Sequence, residues 1–127
     1  MSNKLSIKTP DAPQAIGPYS QAIKKGSLVF ISGQIPLVPG TTELVGTDLA
    51  EQTQQVFKNL QTVAEASGGG LNDFVKLTIY LTDLSAFAIV NDIMASYFIE
   101  PYPARATIEV SALPKSALVE IEAILAL

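Results

Sequence analysis

The chain contains no cysteine and no histidine. Without cysteine there can be no disulfide, no thiolate metal ligand and no cysteine nucleophile. Without histidine there can be no Ser-His-Asp or Cys-His catalytic arrangement and no histidine-bearing metal site. Acid–base chemistry must therefore come from Asp, Glu, Lys, Tyr or water. Since no dense Asp/Glu loop of the calcium-binding type occurs either, we expect no metal site.

Positive charge is scarce. Eight Lys and Arg stand against twelve Asp and Glu, giving a net charge of −4, and the longest basic cluster is Lys24-Lys25. A binder of nucleic acid needs cations to neutralise phosphates, so we expect no nucleic-acid partner. The first ten residues lack the apolar core of a signal peptide, and no run is long enough to span a membrane. These patterns favour a cytoplasmic protein without a membrane partner.

Apolar residues are abundant. They make up 48% of the 127 residues, and the mean hydropathy is +0.33. This length suits one compact domain over 1–127 with a real hydrophobic core. The apolar excess indicates a subunit interface, and the alternative is a well-filled core.

Periodicity predicts the order strands, helix, strand, helix, two strands, after a turn-rich segment at 1–20. Residues 20–24 and 28–32 fit a hairpin, Asp48 caps a helix that the triple glycine 68–70 ends, and 74–82 alternates as a strand. Asp83 or Ser85 caps a second helix with a core-facing stripe, and strands follow at 104–110 and 117–126. The stripe comprises Phe87, Val90, Met94, Tyr97 and Phe98. The fold class is α+β, a two-layer sandwich with two helices on one face of a mixed sheet.

The other face of this sheet is expected to stay open and to need a partner subunit as its cover. The residues that we place there are Thr78, Tyr80, Arg105, Thr107, Glu120 and Glu122.

Arg105 is the sharpest candidate for a binding residue. Its guanidinium is a rigid fork of donors that suits a carboxylate, and the alternative is an ion pair with Glu109, Glu120 or Glu122. Glu120 and Glu122 lie about 6–7 Å apart on one face of the last strand. One of them could activate water, although alternating charge is also typical of a half-exposed strand.

Seven segments together resemble the Rid family of reactive-intermediate deaminases, also called the YjgF family, over nearly the whole chain. They are A-I-G-P-Y-S-Q-A at 15–22, F-I-S-G-Q-I-P at 30–36, Q-V-F-K-N-L at 55–60, V-K-L-T-I-Y-L-T-D-L at 75–84, P-A-R-A-T-I-E-V at 103–110, L-P-K at 113–115 and V-E-I-E-A-I at 119–124.

The resemblance implies a homotrimer of chorismate-mutase-like architecture, with active sites between subunits. It implies hydrolysis of 2-imino acids, such as 2-iminobutanoate and 2-iminopropanoate, to 2-oxo acids and ammonia, without metal or other cofactor. Arg105 matches the arginine that grips the substrate carboxylate, and Glu120 matches the glutamate that positions or activates water. The other matching residues in the substrate site are Tyr19, Gly33 and Asn91.

Position 107 departs from the pattern, since many members of the family have cysteine there and this chain has Thr107. Two other functions stay open. The same arginine would serve a non-catalytic trimeric protein that binds small carboxylates or has a regulatory role. Ribonuclease or translation-inhibitor activity has been attributed to some relatives, but the acidic charge and the lack of histidine argue against it.

Overall fold

A computed structural model describes residues 3–127, so Met1 and Ser2 of the predicted turn-rich segment lie outside the described residues. The elements follow the predicted order, with one strand added at the start. They are β1 Leu5–Ile7, β2 Ala22–Lys25, β3 Leu28–Gln34, α1 Leu49–Ala66, β4 Phe74–Leu81, α2 Phe87–Tyr97, β5 Ala104–Glu109 and β6 Val119–Ala126.

The strands form one mixed sheet in the order β1-β2-β3-β6-β4-β5. β4 and β5 run parallel, because α2 carries the chain back across the sheet between them, and all other neighbours are antiparallel. β5 is therefore an edge strand. The hairpin of β2 and β3 confirms the prediction for 20–32, whereas β1 was not predicted because three residues carry too little alternation.

The helix caps follow the sequence closely. At the start of α1, Asp48 Oδ2 accepts a hydrogen bond from the N–H of Glu51 at 3.1 Å. After α1 the backbone turns at Gly68, whose φ of +94° is one that a side chain would oppose. Of the two candidates for the second cap, Asp83 is the acceptor: its Oδ1 takes the N–H of Ser85 at 3.0 Å. A 3₁₀ turn at Leu84–Ala86 then leads into α2.

Both helices pack on one face of the sheet and form a single core. The sheet contributes a row of side chains with at most 4% exposure: Val29, Ile31, Leu77, Ile79, Leu81, Val119, Ile121, Ala123 and Leu125. Burying a side chain of this size contributes about 1.5–3 kcal/mol. The predicted stripe of α2 joins this core except for Phe87, which is 40% exposed. Phe87 stands at the first residue of the helix, beyond the edge of the core.

The prediction that Arg105 and Thr107 lie on the open face of the sheet is wrong. Arg105 pairs with Leu77 and Thr107 with Ile79, so both side chains point to the helix side of the sheet. The alternation of β5 correctly predicted which residues share a face of the strand. However, neither face of β5 is buried as fully as a face of a central strand, so its apolar residues do not mark the side of the core.

The open face keeps the other four predicted residues. Tyr80 pairs with Glu120 and Thr78 with Glu122 across β4 and β6. Three large apolar side chains share this face and are exposed in the lone protomer: Leu28 at 41%, Phe30 at 45% and Ile108 at 44%.

Candidate functional site

Arg105 stands on β5 beneath α2, and its guanidinium is held by a neutral partner. Nη1 donates a short hydrogen bond to Oδ1 of Asn91 and lies 3.8 Å from Sδ of Met94. Both partners come from one face of α2. An amide oxygen orients the guanidinium without neutralising it, so the full positive charge is left for a ligand.

The alternative of an ion pair fails within the protomer. Among residues 3–127, Arg105 makes no ion pair. Glu109 instead accepts the N–H of Leu84 at 2.9 Å, and Glu122 accepts the hydroxyl of Tyr80. A single exposed fork of donors is the arrangement expected of a carboxylate site.

Two clefts open on either side of the Arg105 side chain. The larger, about 500 Å³, runs between α2 and the segment around Tyr102 and Pro103. The smaller, about 300 Å³, is lined by Leu84, Phe87, Arg105 and Thr107. The charge of the arginine thus adjoins an apolar wall, which suits a small molecule with a carboxylate and a hydrocarbon part.

Thr107 adds polar groups to the smaller cleft. Its hydroxyl is buried and has no hydrogen-bond partner among the described residues. The N–H of Val110 bonds to the carbonyl of Leu81 at 2.8 Å. By alternation along β5, the backbone groups of Arg105 and Thr107 therefore point away from β4 to the free edge. The edge beside the guanidinium offers unpaired donors and acceptors.

Glu120 lies on the open face, against the backbone of Gly33. A Cβ atom at position 33 would meet the Glu120 carboxylate, with Cδ only 3.0 Å away. The Glu120 side chain makes no hydrogen bond or ion pair within residues 3–127. Partial burial, and secondarily the charge of Glu122, raise the pKa of Glu120 above its ordinary value. A carboxylate with a raised pKa is a stronger base.

Tyr19 lies near Gly33, in a turn that Gly17 permits through a φ of +126°. Tyr19 and Gly33 line one cavity of about 190 Å³ together with Gln34 and Lys115. Gln34 is 5% exposed and its amide makes no side-chain hydrogen bond among the described residues. Lys115 and the residue after it both have positive φ, a costly backbone geometry that clusters at functional sites.

The six predicted site residues form two separate groups. Arg105, Asn91 and Thr107 surround the clefts at the free edge of β5. Tyr19, Gly33 and Glu120 line neither cleft: Glu120 lies against Gly33, and Tyr19 shares a cavity with Gly33. The strands that carry Arg105 and Glu120 are separated by β4, about 10 Å apart, and the two side chains point to opposite faces.

Several residues that line these cavities were not predicted from the sequence as site residues, namely Leu84, Phe87, Tyr102, Gln34 and Lys115. Phe87 read as core because it fits the apolar spacing of α2. A sequence signal existed for Lys115, which follows Pro114 in the L-P-K segment, but the backbone geometry that marks it appears only in three dimensions.

Within residues 3–127, no group of three or more Asp and Glu residues is arranged to hold a metal ion. No helix in this part of the chain has both the length and the apolar character needed to cross a bilayer.

The chain is similar to known proteins over nearly its whole length. The sequence profile of the family described as Endoribonuclease L-PSP matches residues 9–127. A RutC family protein of Pyrococcus horikoshii is 53% identical over 93% of this chain and 94% of its own length. A 2-iminobutanoate/2-iminopropanoate deaminase of Dermatophagoides farinae is 47% identical over 98% and 97%. The crystal structure of RidA from Psychrobacter superposes with a TM-score of 0.93 at 50% identity, covering 97% of this chain and 99% of that one.

Proposed function

We propose, from the premise that this chain belongs to the Endoribonuclease L-PSP family, which includes the YjgF/Rid proteins, that it hydrolyses 2-imino acids to 2-oxo acids and ammonia. The substrates are 2-iminobutanoate and 2-iminopropanoate. The observation that carries the proposal is the guanidinium of Arg105, which makes no ion pair within residues 3–127 and is held by Asn91 at the mouth of an apolar cleft. Such a fork binds the substrate carboxylate and fixes the plane of the adjoining C=N bond.

In the protonated substrate, the oxygen of a water molecule bonds to C2 while the water proton passes to Glu120. The electron pair of the C=N bond moves to nitrogen and gives a neutral carbinolamine. Glu120 then returns its proton to the nitrogen, the C–N bond breaks, and ammonia leaves as the hydroxyl proton is released and the C=O bond forms. The reaction thus uses water as the nucleophile, one carboxylate to transfer the proton and one cation to hold the substrate. These groups are sufficient because the barrier to imine hydrolysis is low.

The complete site requires two subunits in this proposal. Arg105 and Glu120 of one protomer point to opposite faces of the sheet, so they cannot reach one small substrate together. The exposed apolar residues of the open face and the unpaired edge of β5 are surfaces that a second copy can cover. We infer a homotrimer in which Arg105, Asn91 and Thr107 of one subunit face Tyr19, Gly33 and Glu120 of its neighbour. We place this trimer in the cytoplasm.

Arg105→Ala is expected to abolish hydrolysis, and Arg105→Lys to reduce it strongly, because an ammonium group lacks the bidentate fork. An amino acid oxidase supplies the imine, and the rates of imine loss and ammonia release are measured. The exposed Lys58 of α1 provides a matched control, since Lys58→Ala removes a cation that lines neither cleft. Wild-type turnover by a folded Arg105→Ala variant would rule out the assignment.

Glu120→Gln is expected to slow turnover while 2-oxo acid binding persists, since the amide cannot take a proton from water. A wild-type protein that binds 2-oxo acids but never accelerates imine loss would favour the non-catalytic carboxylate-binding function instead. RNA cleavage that copurifies with the protein and disappears in Arg105→Ala would favour a ribonuclease.

A further inference from the structure

Three side chains on the open face form a connected group beside the proposed base. Glu120 and Glu122 project from the same side of β6, and Tyr80 of β4 stands directly across from Glu120. The Tyr80 hydroxyl nevertheless donates its hydrogen bond to Oε1 of Glu122, its diagonal neighbour. Aromatic side chains can reach a diagonal position across two strands.

This choice of partner leaves Glu120 without a donor. Glu120 makes no side-chain hydrogen bond or ion pair within residues 3–127, although it is partly buried and has a second carboxylate beside it. Two cations occur nearby in sequence or on the same face: Lys76 of β4, which pairs with Ile124, and Lys115 before β6. Neither forms an ion pair with Glu120.

No further charged group of residues 3–127 bonds to Glu120 within the protomer. In the proposed trimer, Arg105 of the neighbouring subunit also faces Glu120, and its positive charge is the same in every variant compared below. β3 contributes the Gly33 backbone, which blocks the carboxylate from moving toward that strand. The same contacts also affect the pKa of Tyr80. Its hydrogen bond to Glu122 raises the pKa of Tyr80 most, followed by burial and by the charges of Glu122 and Glu120. The tyrosine thus stays protonated and stays a donor.

We propose that Tyr80 and Glu122 are positioning residues for Glu120: the tyrosine hydroxyl fixes the Glu122 carboxylate in place, and this fixed negative charge adds to the effect of burial in keeping Glu120 basic enough to take a proton from water. The inference rests on the proposed function, in which Glu120 is the base. Glu122 touches no reacting atom. It acts through its charge, and Tyr80 acts by holding that charge where it is effective.

The direction of the effect follows from electrostatics. A neighbouring negative charge favours the protonated form of Glu120, so removing that charge must lower the pKa of Glu120. The acid limb of the pH profile of kcat/KM then moves to lower pH, while the plateau falls because a weaker base accepts the water proton less readily. A purely structural role for Glu122 would lower activity without moving the acid limb.

The experiment compares Glu122→Gln and Tyr80→Phe with Glu65→Gln, which removes an exposed carboxylate from α1. The pH profile of kcat/KM is measured by the oxidase-coupled assay. We expect Glu122→Gln to shift the acid limb down by about 0.5 pH unit. Tyr80→Phe shifts it less in the same direction, and Glu65→Gln leaves it in place. The double variant should match Glu122→Gln, because the tyrosine acts only through that carboxylate.

A second measurement does not depend on turnover. The carboxyl carbon of Glu120 is titrated by NMR in the substrate-free protein, with assembly checked by light scattering. A lower midpoint in an assembled Glu122→Gln protein supports the proposal even if no imine is hydrolysed, in which case the proposed function fails alone. An unchanged Glu120 midpoint in an assembled Glu122→Gln protein overturns the inference. So does a loss of assembly accompanied by an unchanged midpoint.

Discussion

At the scale of single residues, position 33 admits a hydrogen atom and nothing larger, because the Glu120 carboxylate occupies the space of a Cβ. Gly33→Ala should push Glu120 aside and lower kcat/KM roughly 10- to 100-fold, since displacing a catalytic group by about 1 Å reduces the rate by this order. Gly70→Ala is the matched control, because a Cβ there meets nothing within 4 Å. Equal activity of the two variants would show that the close contact has no role.

Thr107 and Thr53 share one unusual feature, a buried hydroxyl without a partner among the described residues. An unpaired buried hydroxyl is destabilising, so Thr107→Val and Thr53→Val should each raise the free energy of unfolding by about 1 kcal/mol. Only Thr107 borders the Arg105 cleft. We therefore expect its valine variant alone to change kcat/KM. Thermal melts and the coupled assay test both parts, and full activity in Thr107→Val would contradict a role for the hydroxyl.

The individual site residues were predictable to different degrees. Chemistry singled out Arg105 before any resemblance, because a lone arginine in an apolar strand needs an anion. Asn91 came from the resemblance alone, whereas Tyr19 and Gly33 also lie in glycine-containing turns, where the backbone can approach a ligand closely. The bond between Tyr80 and Glu122 could not be predicted at all. It depends on the diagonal register of two strands that lie about forty residues apart in the chain.

At the scale of secondary structure elements, α2 serves as the support for Arg105. The helix presents Asn91 and Met94 to the guanidinium. Asn91→Ala should leave the arginine in place but free to rotate, so KM for the imine should rise several-fold with kcat changed less. Asp92→Ala, one residue along the same helix and exposed, controls for helix stability. An equal effect of the two variants on KM would show that Asn91 acts only through the helix.

The same scale shows where sequence patterns succeed and fail. The helix ends and the central strands were predicted within a few residues. The helix ends were predictable because Asp48 and Asp83 accept hydrogen bonds from nearby backbone N–H groups and Gly68 adopts a positive φ. The orientation of β5 was assigned wrongly, because an edge strand has no buried neighbour on one side and its apolar residues need not face the core. Only the pairing with β4 determines that Arg105 lies beneath α2.

At the scale of the whole molecule, the proposed site is divided into two halves within one protomer. Arg105 and Glu120 point to opposite faces of the sheet, so the proposed reaction needs them to cooperate across an assembly. The sequence indicates an assembly only through its excess of apolar residues. The protomer indicates it only through exposed apolar side chains such as Phe30 and Ile108. Neither observation specifies which surfaces meet.

Mixed assembly tests the two-subunit site directly. Alone, Arg105→Ala should be inactive and Glu120→Gln should turn over only slowly. In a cyclic trimer that contains both, one interface joins the intact arginine of one subunit to the intact glutamate of its neighbour. Random co-assembly of the two variants in equal amounts makes about three quarters of the trimers mixed. Each mixed trimer has one working site of three, so about a quarter of wild-type activity should return. Folded trimers of the two variants that are mixed without subunit exchange should stay inactive. If co-refolding restores nothing, Arg105 and Glu120 do not act together across an interface.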